Sequence, residues 1–449
     1  MFKRYLYVNY RSFAALKFWL RRRITATGWL MLAATLAAAA LGVDTNSSFA
    51  YQTFAFLFCL LLTSALFARW SGTNKIFAER VLPRFGSAEI PLSYSLVVSN
   101  GSARAQKSLH LFDELVDPRP SFEEFRNTPE PGEEKRNWFD RIYTYYRWTW
   151  LIAQNTRARA EDQPLPDLPP QSQQFVPAAL LPLRRGVLRF AGFAIAAPDP
   201  FGLFRSIRRI PAPQSVLILP KRYLVPPFEL PGSLKYQQGG VSMASSIGES
   251  EEFVSLREYR PGDPLRRIHW KSFAKIGKPV VKEFQEEFFV RHALILDTFS
   301  PHAHSEIFEE AVSVAASLAY TIQNQDSLLD LMFVGPQAFC FTSGRGLAHT
   351  EQTLEILASV QTCREKKFET LENLVIEHTV QISGCLCVFL EWDDTRRNFV
   401  KTLRAQEIPL RVFVVVPDET PLHPGPMSDQ PHRFHTLPIG KIREKLAVL

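Results

Sequence analysis

The sequence predicts a protein of the α/β plus β class, with an N-terminal transmembrane helical hairpin, a β-sandwich-like domain and a C-terminal α/β domain. Three observations support this prediction. Two uncharged apolar runs fill residues 24–43 and 51–68, alternating apolar and polar residues surround Asn100-Gly101, and beyond Gln285 apolar strands alternate with amphipathic helices. The chain of 449 residues is long enough for two folded units besides the membrane segments.

The two apolar runs have lengths that suit membrane spans. They comprise about 20 and about 18 residues, against the roughly 20 that a helix needs to cross a bilayer. Only residues 44–50 separate them, so we expect an antiparallel pair of transmembrane helices within residues 24–70. A cleaved signal peptide is the alternative, because small residues that suit cleavage end the first run.

The distribution of positive charge predicts the orientation of this helix pair. Seven Lys and Arg residues precede the first run, whereas the link between the runs holds Asp44 and no positive charge. The basic residues that follow the second run are Arg69, Lys75, Arg80 and Arg84. The positive-inside rule therefore places both termini and the soluble domains in the cytoplasm.

Residues 1–23 form a basic and aromatic arm, expected to be cytoplasmic. Their seven positive charges equal the net charge of +7, so residues 24–449 balance 45 basic against 45 acidic side chains. A nucleic-acid-binding face on the body of the protein is therefore not expected. The arm suits a segment that lies at lipid headgroups, and a disordered arm is the alternative.

A β-rich, sandwich-like domain is expected over residues 75–240. Residues 89–115 alternate around the turn signal Asn100-Gly101, and strand patterns resume in residues 181–222. Between them lies an insertion at about 121–174, with an aromatic helix and a Pro-rich connector. We expect the aromatic stripe to dock on the sheet or on a bilayer, with a ligand cage as the alternative.

Residues 290–449 are expected to form an α/β domain. An apolar strand ends at Asp297, and further apolar strands alternate with amphipathic helices. This order predicts a parallel or mostly parallel sheet that is covered on both faces. Sites in such sheets form at the carboxyl ends of strands, where Asp297 and the group Glu391, Asp393 and Asp394 lie.

The stretch from Arg257 to Phe284 concentrates charged and reactive side chains, and we predict that residues 241–289 form a hairpin junction between the domains. Its candidate interaction residues are Arg257, Glu258, Tyr259, Pro261, Gly262, Asp263, Arg266, Arg267, His269 and Trp270.

Three interpretations of this stretch remain open. As a structural junction, Pro261-Gly262 forms a turn, Asp263 pairs with Arg266 or Arg267, and the strands RIHWKSF and PVVKEFQEEF meet across Gly277, with Tyr259, Ile268 and Trp270 as packing residues. As a cationic surface, it binds an acidic partner, phospholipid headgroups or nucleotide phosphate. As an active site, it uses His269 as a base with Glu258 or Asp263, but Ser272 lacks the context of a nucleophile.

Three motifs resemble the bacterial family called domain of unknown function 58. They are RRGVLRF with DPFGLFR at residues 184–205, REYRPGDPLRRIHWKSFAK at residues 257–275 and LILDTFS at residues 294–300. The resemblance implies a Rossmann-like domain of the von Willebrand factor A type in residues 290–449, and no established catalytic activity. It also implies a MoxR-type AAA+ ATPase as partner, and a transglutaminase-like membrane protein as a second one. The insertion is longer than expected for the family.

The von Willebrand factor A resemblance raises the question of a Mg²⁺ site. Such a site needs an Asp-x-Ser-x-Ser loop, whose oxygens ligate the cation. The loop here reads Asp297-Thr298-Phe299-Ser300-Pro301, so Asp297, Ser300 and Asp393 are the candidate ligands of a degenerate site. An Asp297 that caps the next helix is the alternative, and no other cofactor is expected.

These observations together predict a non-enzymatic adaptor or scaffold in the bacterial inner membrane. We expect two spans, cytoplasmic soluble domains and a MoxR-type AAA+ ATPase as partner in envelope-related assembly or stress response. A hydrolase of envelope or nucleotide substrates is the alternative from another class.

Overall fold

The computed structural model describes residues 1–41, 48–70, 75–228, 253–263, 265, 268–284, 291–302, 304–323, 328–344 and 347–449. The chain divides into two compact units, Met1–Lys221 (unit 1) and Arg222–Leu449 (unit 2). The borders predicted at residues 240 and 289 lie outside the described residues and stay predictions.

Unit 1 contains the N-terminal helices and the β-rich region. In its described part the helices are α1 (Phe2–Arg23), α2 (Ala26–Leu41), α3 (Ser48–Trp70), α4 (Phe122–Asn127), α5 (Trp138–Tyr143) and α6 (Tyr145–Asn155). The strands are β1 (Ile76–Val81), β2 (Phe85–Ser87), β3 (Leu92–Asn100), β4 (His110–Leu115), β5 (Ala158–Ala160), β6 (Gln163–Pro164), β7 (Ser172–Pro182), β8 (Gly186–Pro198) and β9 (Arg205–Leu219).

Two sheets pack face to face in unit 1, with strand orders β1-β3-β7-β5 and β2-β9-β8-β4-β6. Leu96 and Val98 of β3 share one buried cluster with Phe190 and Ile195 of β8, so side chains from both sheets form a single core. Each such fully buried side chain contributes roughly 1.5–3 kcal/mol to stability. Strand β3 alternates buried and exposed positions, as its sequence pattern predicts.

Helix α3 is long and apolar enough to cross a membrane, and in the described residues it alone meets both conditions. Helix α2 packs against α3, but its 16 residues span about 24 Å, which is shorter than the roughly 30 Å of a bilayer core. The residues that would lengthen α2 to the predicted span, 42–47, lie outside the described part of the chain.

The first described strand of unit 2 runs into the stretch from Arg257 to Phe284, which is named the signature stretch from here on. In the described part of the unit the strands are β10 (Phe253–Glu258), β11 (Val280–Phe284), β12 (Arg291–Leu296), β13 (Leu328–Val334), β14 (Ala338–Ser343), β15 (Gly384–Phe389), β16 (Leu410–Val416) and β17 (Phe434–Pro438). The helices are α7 (Trp270–Ile276), α8 (Glu306–Gln323), α9 (Leu347–Ser359), α10 (Glu369–His378), α11 (Asp394–Ala405) and α12 (Ile442–Leu446).

The main sheet of unit 2 has the order β14-β13-β12-β15-β16-β17, and it is parallel except for the pairing of β13 with β14. Ala293, Leu294, Ile295 and Leu296 of β12 are fully buried, so both faces of this central strand are covered. The predicted mostly parallel, two-sided sheet and the mixed α/β class are confirmed. The closer resemblance to a von Willebrand factor A domain stays a prediction.

One predicted pairing in the signature stretch is wrong. RIHWKSF is not a strand, because Trp270–Ile276 forms α7 and Gly277 ends that helix with a φ of 72°. Strand β11 pairs instead with β10, antiparallel, and Val281 of β11 also forms an isolated bridge with Ile268. Apolar and polar residues alternate over only a few positions in RIHWKSF, which is weak evidence for a strand. Gly277, by contrast, is a residue that commonly ends a helix.

Candidate functional site

The signature stretch forms a tight turn that an arginine–carboxylate pair closes. Arg257 donates two hydrogen bonds of 2.7 Å to the two oxygens of Asp263, and the Arg260 backbone N–H donates to the same carboxylate at 2.9 Å. Gly262 has a φ of 109°, a conformation that side chains rarely adopt. The predicted turn at Pro261-Gly262 is thus present, and Arg257 is a partner of Asp263. Arg266 and Arg267, the predicted partners, lie outside the described residues.

This pairing shifts the titration of the turn carboxylate. The Arg257 guanidinium, helped by the Arg260 backbone N–H, lowers the pKa of Asp263 to about 2. Bidentate pairs of this kind are strong and fix the geometry of both groups. Asp263 therefore stays ionised over the physiological range and holds the loop in shape.

The turn is also tied to the strand beside it. The Tyr259 backbone N–H donates to the Pro279 carbonyl at 2.9 Å, and the His269 backbone N–H donates to the Val280 carbonyl at 2.8 Å. These bonds attach both ends of the loop to β11. The described residues between them are therefore presented on a fixed frame.

His269 lies at the start of α7, beside a hydroxyl group. Its Nδ1 is 2.7 Å from the Ser272 Oγ, and either atom can donate. The proposed orienting carboxylates contact other residues instead: Asp263 binds Arg257, and Glu258 lies 3.6 Å from Lys278. The structure brings a histidine and a serine together but supplies neither predicted third member of a catalytic set.

Side chains on this frame combine exposed apolar and cationic groups. The large apolar side chains of Leu265, Trp270 and Ile276 are each more than 60% exposed. Tyr259, Ile268 and Trp270 were the predicted packing residues; Ile268 is buried and Tyr259 is half-buried, but Trp270 is exposed. The exposed basic residues around them are Arg260, Lys271, Lys275 and Lys278.

A second candidate site lies at the carboxyl ends of β12 and β15. Asp297 is completely buried and accepts hydrogen bonds from the backbone N–H groups of Phe299 at 3.0 Å and Leu390 at 3.3 Å. Arg396 donates to the same carboxylate through Nε at 3.1 Å. Burial raises the pKa of Asp297, while Arg396 and the backbone donors oppose this rise.

Arg396 also binds the other predicted metal ligand. Its Nη1 donates to Asp393 at 2.8 Å, and Asp393 caps the start of α11 by accepting from the Arg396 backbone N–H at 2.9 Å. The guanidinium lies 4.7 Å from the centre of the Phe368 ring. A positive charge thus already lies between the two carboxylates.

The predicted Mg²⁺ ligands do not converge on a common point. Ser300 accepts from the His302 backbone N–H at 3.3 Å, whereas Asp297 and Asp393 converge on Arg396. Among the described residues no group of three or more His, Cys, Asp or Glu side chains has the geometry of a metal site. The residues present therefore do not fit a bound cation unless Arg396 moves, and the cation site stays a prediction.

Arg396 was not singled out from the sequence, although a local signal existed. It follows Asp393 by three residues in the first turn of a helix, where an acidic cap and an arginine can pair. Its more buried partner, Asp297, is 99 residues away in the chain. Only the arrangement of neighbouring strands reveals that contact.

The DPFG motif of the resemblance has a structural role of its own. The Asp199 carboxylate accepts from the Phe204 backbone N–H at 2.9 Å, which closes the turn between β8 and β9, and it also accepts from the Ser64 hydroxyl of α3. Thr25 donates to the Gly202 carbonyl of the same turn at 2.6 Å. A Cβ on Gly28 would lie 2.2 Å from the Leu203 carbonyl oxygen, so glycine permits α2 to approach the turn.

Residues 255–408 match the family model described as "Protein of unknown function DUF58". This match confirms the resemblance to domain of unknown function 58. It covers the signature turn, the Asp297–Arg396 site and most of the main sheet.

Two known proteins resemble parts of the chain. An "Uncharacterized protein YeaD" of Bacillus subtilis is 27% identical over 176 residues, which are 39% of this chain and 42% of the relative. The chain thus spans less than half the length of that relative. The other is a solved GH20 exo-β-N-acetylglucosaminidase from Vibrio harveyi, in complex with N-acetylglucosamine. The matched region covers 80% of this chain and 60% of the glucosaminidase chain, at 7% identity. Its TM-score of 0.14 supports no argument about fold or function.

Proposed function

We propose that this protein is a non-enzymatic, membrane-anchored adaptor, and that its signature turn docks an acidic surface of a partner protein. The observation that supports the proposal is the rigid turn beside exposed Leu265, Trp270 and Ile276, with four exposed basic residues around them. Large exposed apolar side chains rimmed by polar and charged groups are typical of docking surfaces.

The proposed partner is a MoxR-type AAA+ ATPase, which the family resemblance implies. The charge of the docking surface selects an acidic patch on that partner, and complementary charge mainly raises the rate and specificity of association. Envelope-related assembly or stress response is the proposed setting. A transglutaminase-like membrane protein is a second proposed partner.

The proposed anchor consists of α2 and α3 as two membrane spans in the bacterial inner membrane. Helix α3 has the length and composition of a span, α2 packs along it, and α2 needs only a few further residues to match it. Positive charge on both outer flanks favours cytoplasmic soluble domains. Reporter fusions after Leu449 test this topology, and an extracytoplasmic signal there contradicts it.

The docking proposal is tested by binding of full-length protein in detergent or nanodiscs to the purified ATPase. Trp270→Ala is expected to weaken the complex roughly thirtyfold, the effect of losing an aromatic anchor of about 2 kcal/mol. Phe175→Ala is the matched control, because Phe175 is 74% exposed and lies on β7 of unit 1. Equal binding of both variants, or no binding by the unchanged protein, contradicts the proposal.

A hydrolase is the second candidate, because His269 and Ser272 lie within hydrogen-bond distance. Ser272→Ala separates the two functions. It is expected to leave partner binding unchanged, since Ser272 is only partly exposed at the base of α7. Hydrolysis of a nucleotide or peptidoglycan substrate that this substitution abolishes would favour the enzyme.

A further inference from the structure

Helix α1 exposes an apolar face on the side that is turned away from the rest of unit 1. Its inner side packs on the insertion, where Tyr7 shares a buried cluster with Phe125 and Trp148. Tyr10 Oη adds a hydrogen bond of 2.9 Å to the Tyr143 carbonyl. The arm of residues 1–23 is therefore a docked helix, and its second side is free to meet something else.

The outer side has a stripe of large side chains in two groups, which the exposed Ser12 separates. At 100° per residue its members fall within about 80° of one another, and each is at least half exposed. They are Tyr5, Val8, Leu16 and Trp19.

Positive charge borders this stripe. Arg4 and Arg11 follow one edge of the stripe, and the Arg23 guanidinium, which falls within the stripe, is 5.1 Å from the centre of the Trp19 ring. No acidic residue occurs in residues 1–23. An apolar face bordered by cations alone is the pattern of helices that lie in the headgroup region of a membrane.

The insertion extends the exposed apolar surface. Trp138, Phe139 and Ile142 of α5 are all exposed, with Trp138 at 72%. The Phe2 ring of α1 lies 6.2 Å from the Tyr143 ring, and Tyr143 in turn lies 4.5 Å from Phe139. Contacting rings thus join the two helices.

We propose that the outer stripe of α1 and the exposed aromatic residues of α5 bind the surface of an anionic phospholipid bilayer; together they are named the interfacial platform. The proposal rests on the membrane anchor proposed above. Two residues separate the end of α1 from the start of α2, and one of them, Thr25, donates to the Gly202 carbonyl. The platform therefore adjoins the point at which the chain would enter the bilayer.

Charge favours lipid over protein as the occupant. The α1 stripe of the platform has cations along one edge, and both helices carry aromatic groups that suit the interface between water and hydrocarbon. Each Lys or Arg near an anionic leaflet strengthens binding roughly fivefold. The platform would hold the soluble part of unit 1 close to the membrane instead of on a loose tether.

The test places a fluorescent label at position 19 of the full-length chain. Trp19→Cys is made on a Cys59→Ser background, labelled with an environment-sensitive dye and reconstituted in nanodiscs of phosphatidylglycerol or phosphatidylcholine. Headgroup-labelled quencher lipids are expected to quench the dye strongly in phosphatidylglycerol. Phe175→Cys, on a strand of the same unit, is the control and should be quenched several-fold less.

The charge requirement is tested by Arg4→Gln, Arg11→Gln and Arg23→Gln in one chain. Arg4 and Arg23 lie outside the docked face, and Arg11 loses its hydrogen bond to the Tyr7 hydroxyl, so the fold should persist, and circular dichroism checks this. The triple variant is expected to reduce quenching at position 19 in phosphatidylglycerol toward the phosphatidylcholine level. Unchanged quenching overturns the electrostatic part of the proposal.

Anchor and platform fail in distinguishable ways. A chain that enters nanodiscs but shows equal quenching at positions 19 and 175 keeps its anchor and overturns the platform, leaving a protein as the occupant. A chain that does not enter nanodiscs overturns the anchor. That chain is then mixed with phosphatidylglycerol vesicles, where quenching at position 19 supports the platform and its absence overturns it as well.

Discussion

Two arginine–carboxylate pairs in unit 2 use the same chemistry in opposite surroundings. The Arg257–Asp263 pair closes a turn near the surface, with side chains 36% and 15% exposed. The Arg396–Asp297 pair lies beneath the edge of the main sheet, with side chains 8% and 0% exposed. The pKa of Asp263 is lowered because pairing dominates, whereas the pKa of Asp297 is raised because burial dominates.

The difference shows what each pair contributes. A pair near the surface gains little stability from its attraction, because water screens it, so its effect is to shape the loop. A buried pair is held in place by the cost of separating its members, because either group left alone would be a buried, unpaired charge. The turn is therefore suited to recognition and the buried pair to holding α11 against the sheet.

Arg396→Ala is the substitution with the largest expected effect on either pair. It leaves the buried Asp297 without its guanidinium partner and is expected to lower the free energy of unfolding by about 3–5 kcal/mol. Urea unfolding of the detergent-solubilised chain measures the loss. Asp394→Asn is the matched control, because the Asp394 side chain is 91% exposed and the change should cost under about 0.5 kcal/mol.

A double replacement sharpens the first result. Asp297→Leu with Arg396→Met removes both charges at once and is expected to recover most of the loss, because no unpaired charge remains. A double variant as unstable as Arg396→Ala would show that the pair itself, and not the stranded carboxylate, is needed.

Addition of Mg²⁺ to the Arg396→Ala variant is expected to change the free energy of unfolding by an intermediate amount. Without the guanidinium, Asp297 and Asp393 are free to bind Mg²⁺, and a concentration ten times the dissociation constant would restore about 1.4 kcal/mol. Thermal unfolding of Arg396→Ala with and without Mg²⁺ measures this. The unchanged protein should show no Mg²⁺ response, and a clear response there would mean that Arg396 gives way to the cation.

Arg257→Ala is expected to have a smaller effect on global stability than Arg396→Ala. Its main consequence should be local, because Asp263 loses two of its hydrogen bonds and the turn loosens. Faster proteolysis within residues 257–269, at unchanged thermal stability, is the expected result. A fall in stability as large as that of Arg396→Ala would erase the distinction between the two pairs.

The smallest effect is the pH dependence that Asp263 contributes. Its pKa in the folded protein is about 2, below the ordinary value of 3.8, so its stabilising contribution is fully present above pH 4 and is lost as the pH falls toward 2. NMR titration of the carboxyl group measures the midpoint. Arg257→Ala should raise this midpoint toward 3.8, and an unchanged midpoint would contradict the role given to Arg257.

Local patterns predicted most of the fold. The alternation around Asn100-Gly101 predicted β3, and the apolar runs before Asp297 and Glu391 predicted the parallel strands β12 and β15. They succeeded because side-chain burial repeats with the period of each element. The pattern failed at Trp270, where a short segment beside a turn had no period long enough to separate helix from strand.

The candidate site was less predictable than the fold. The turn at Pro261-Gly262 was visible because Pro and Gly restrict the backbone wherever they occur. The partner of Asp263 was not, since several arginines lie near it in sequence and only the path of the loop selects one.

The sequence by itself determined the class of the protein: an apolar helix fit for a membrane, a basic arm, packed sheets, and the motifs that resemble domain of unknown function 58. These are consequences of composition and periodicity within short segments. The tertiary structure alone decided that Arg396 meets Asp297 across 99 residues and that Ser64 meets Asp199 across 135. Such contacts depend on which strands and helices become neighbours, and the energy of packing the whole core sets that choice.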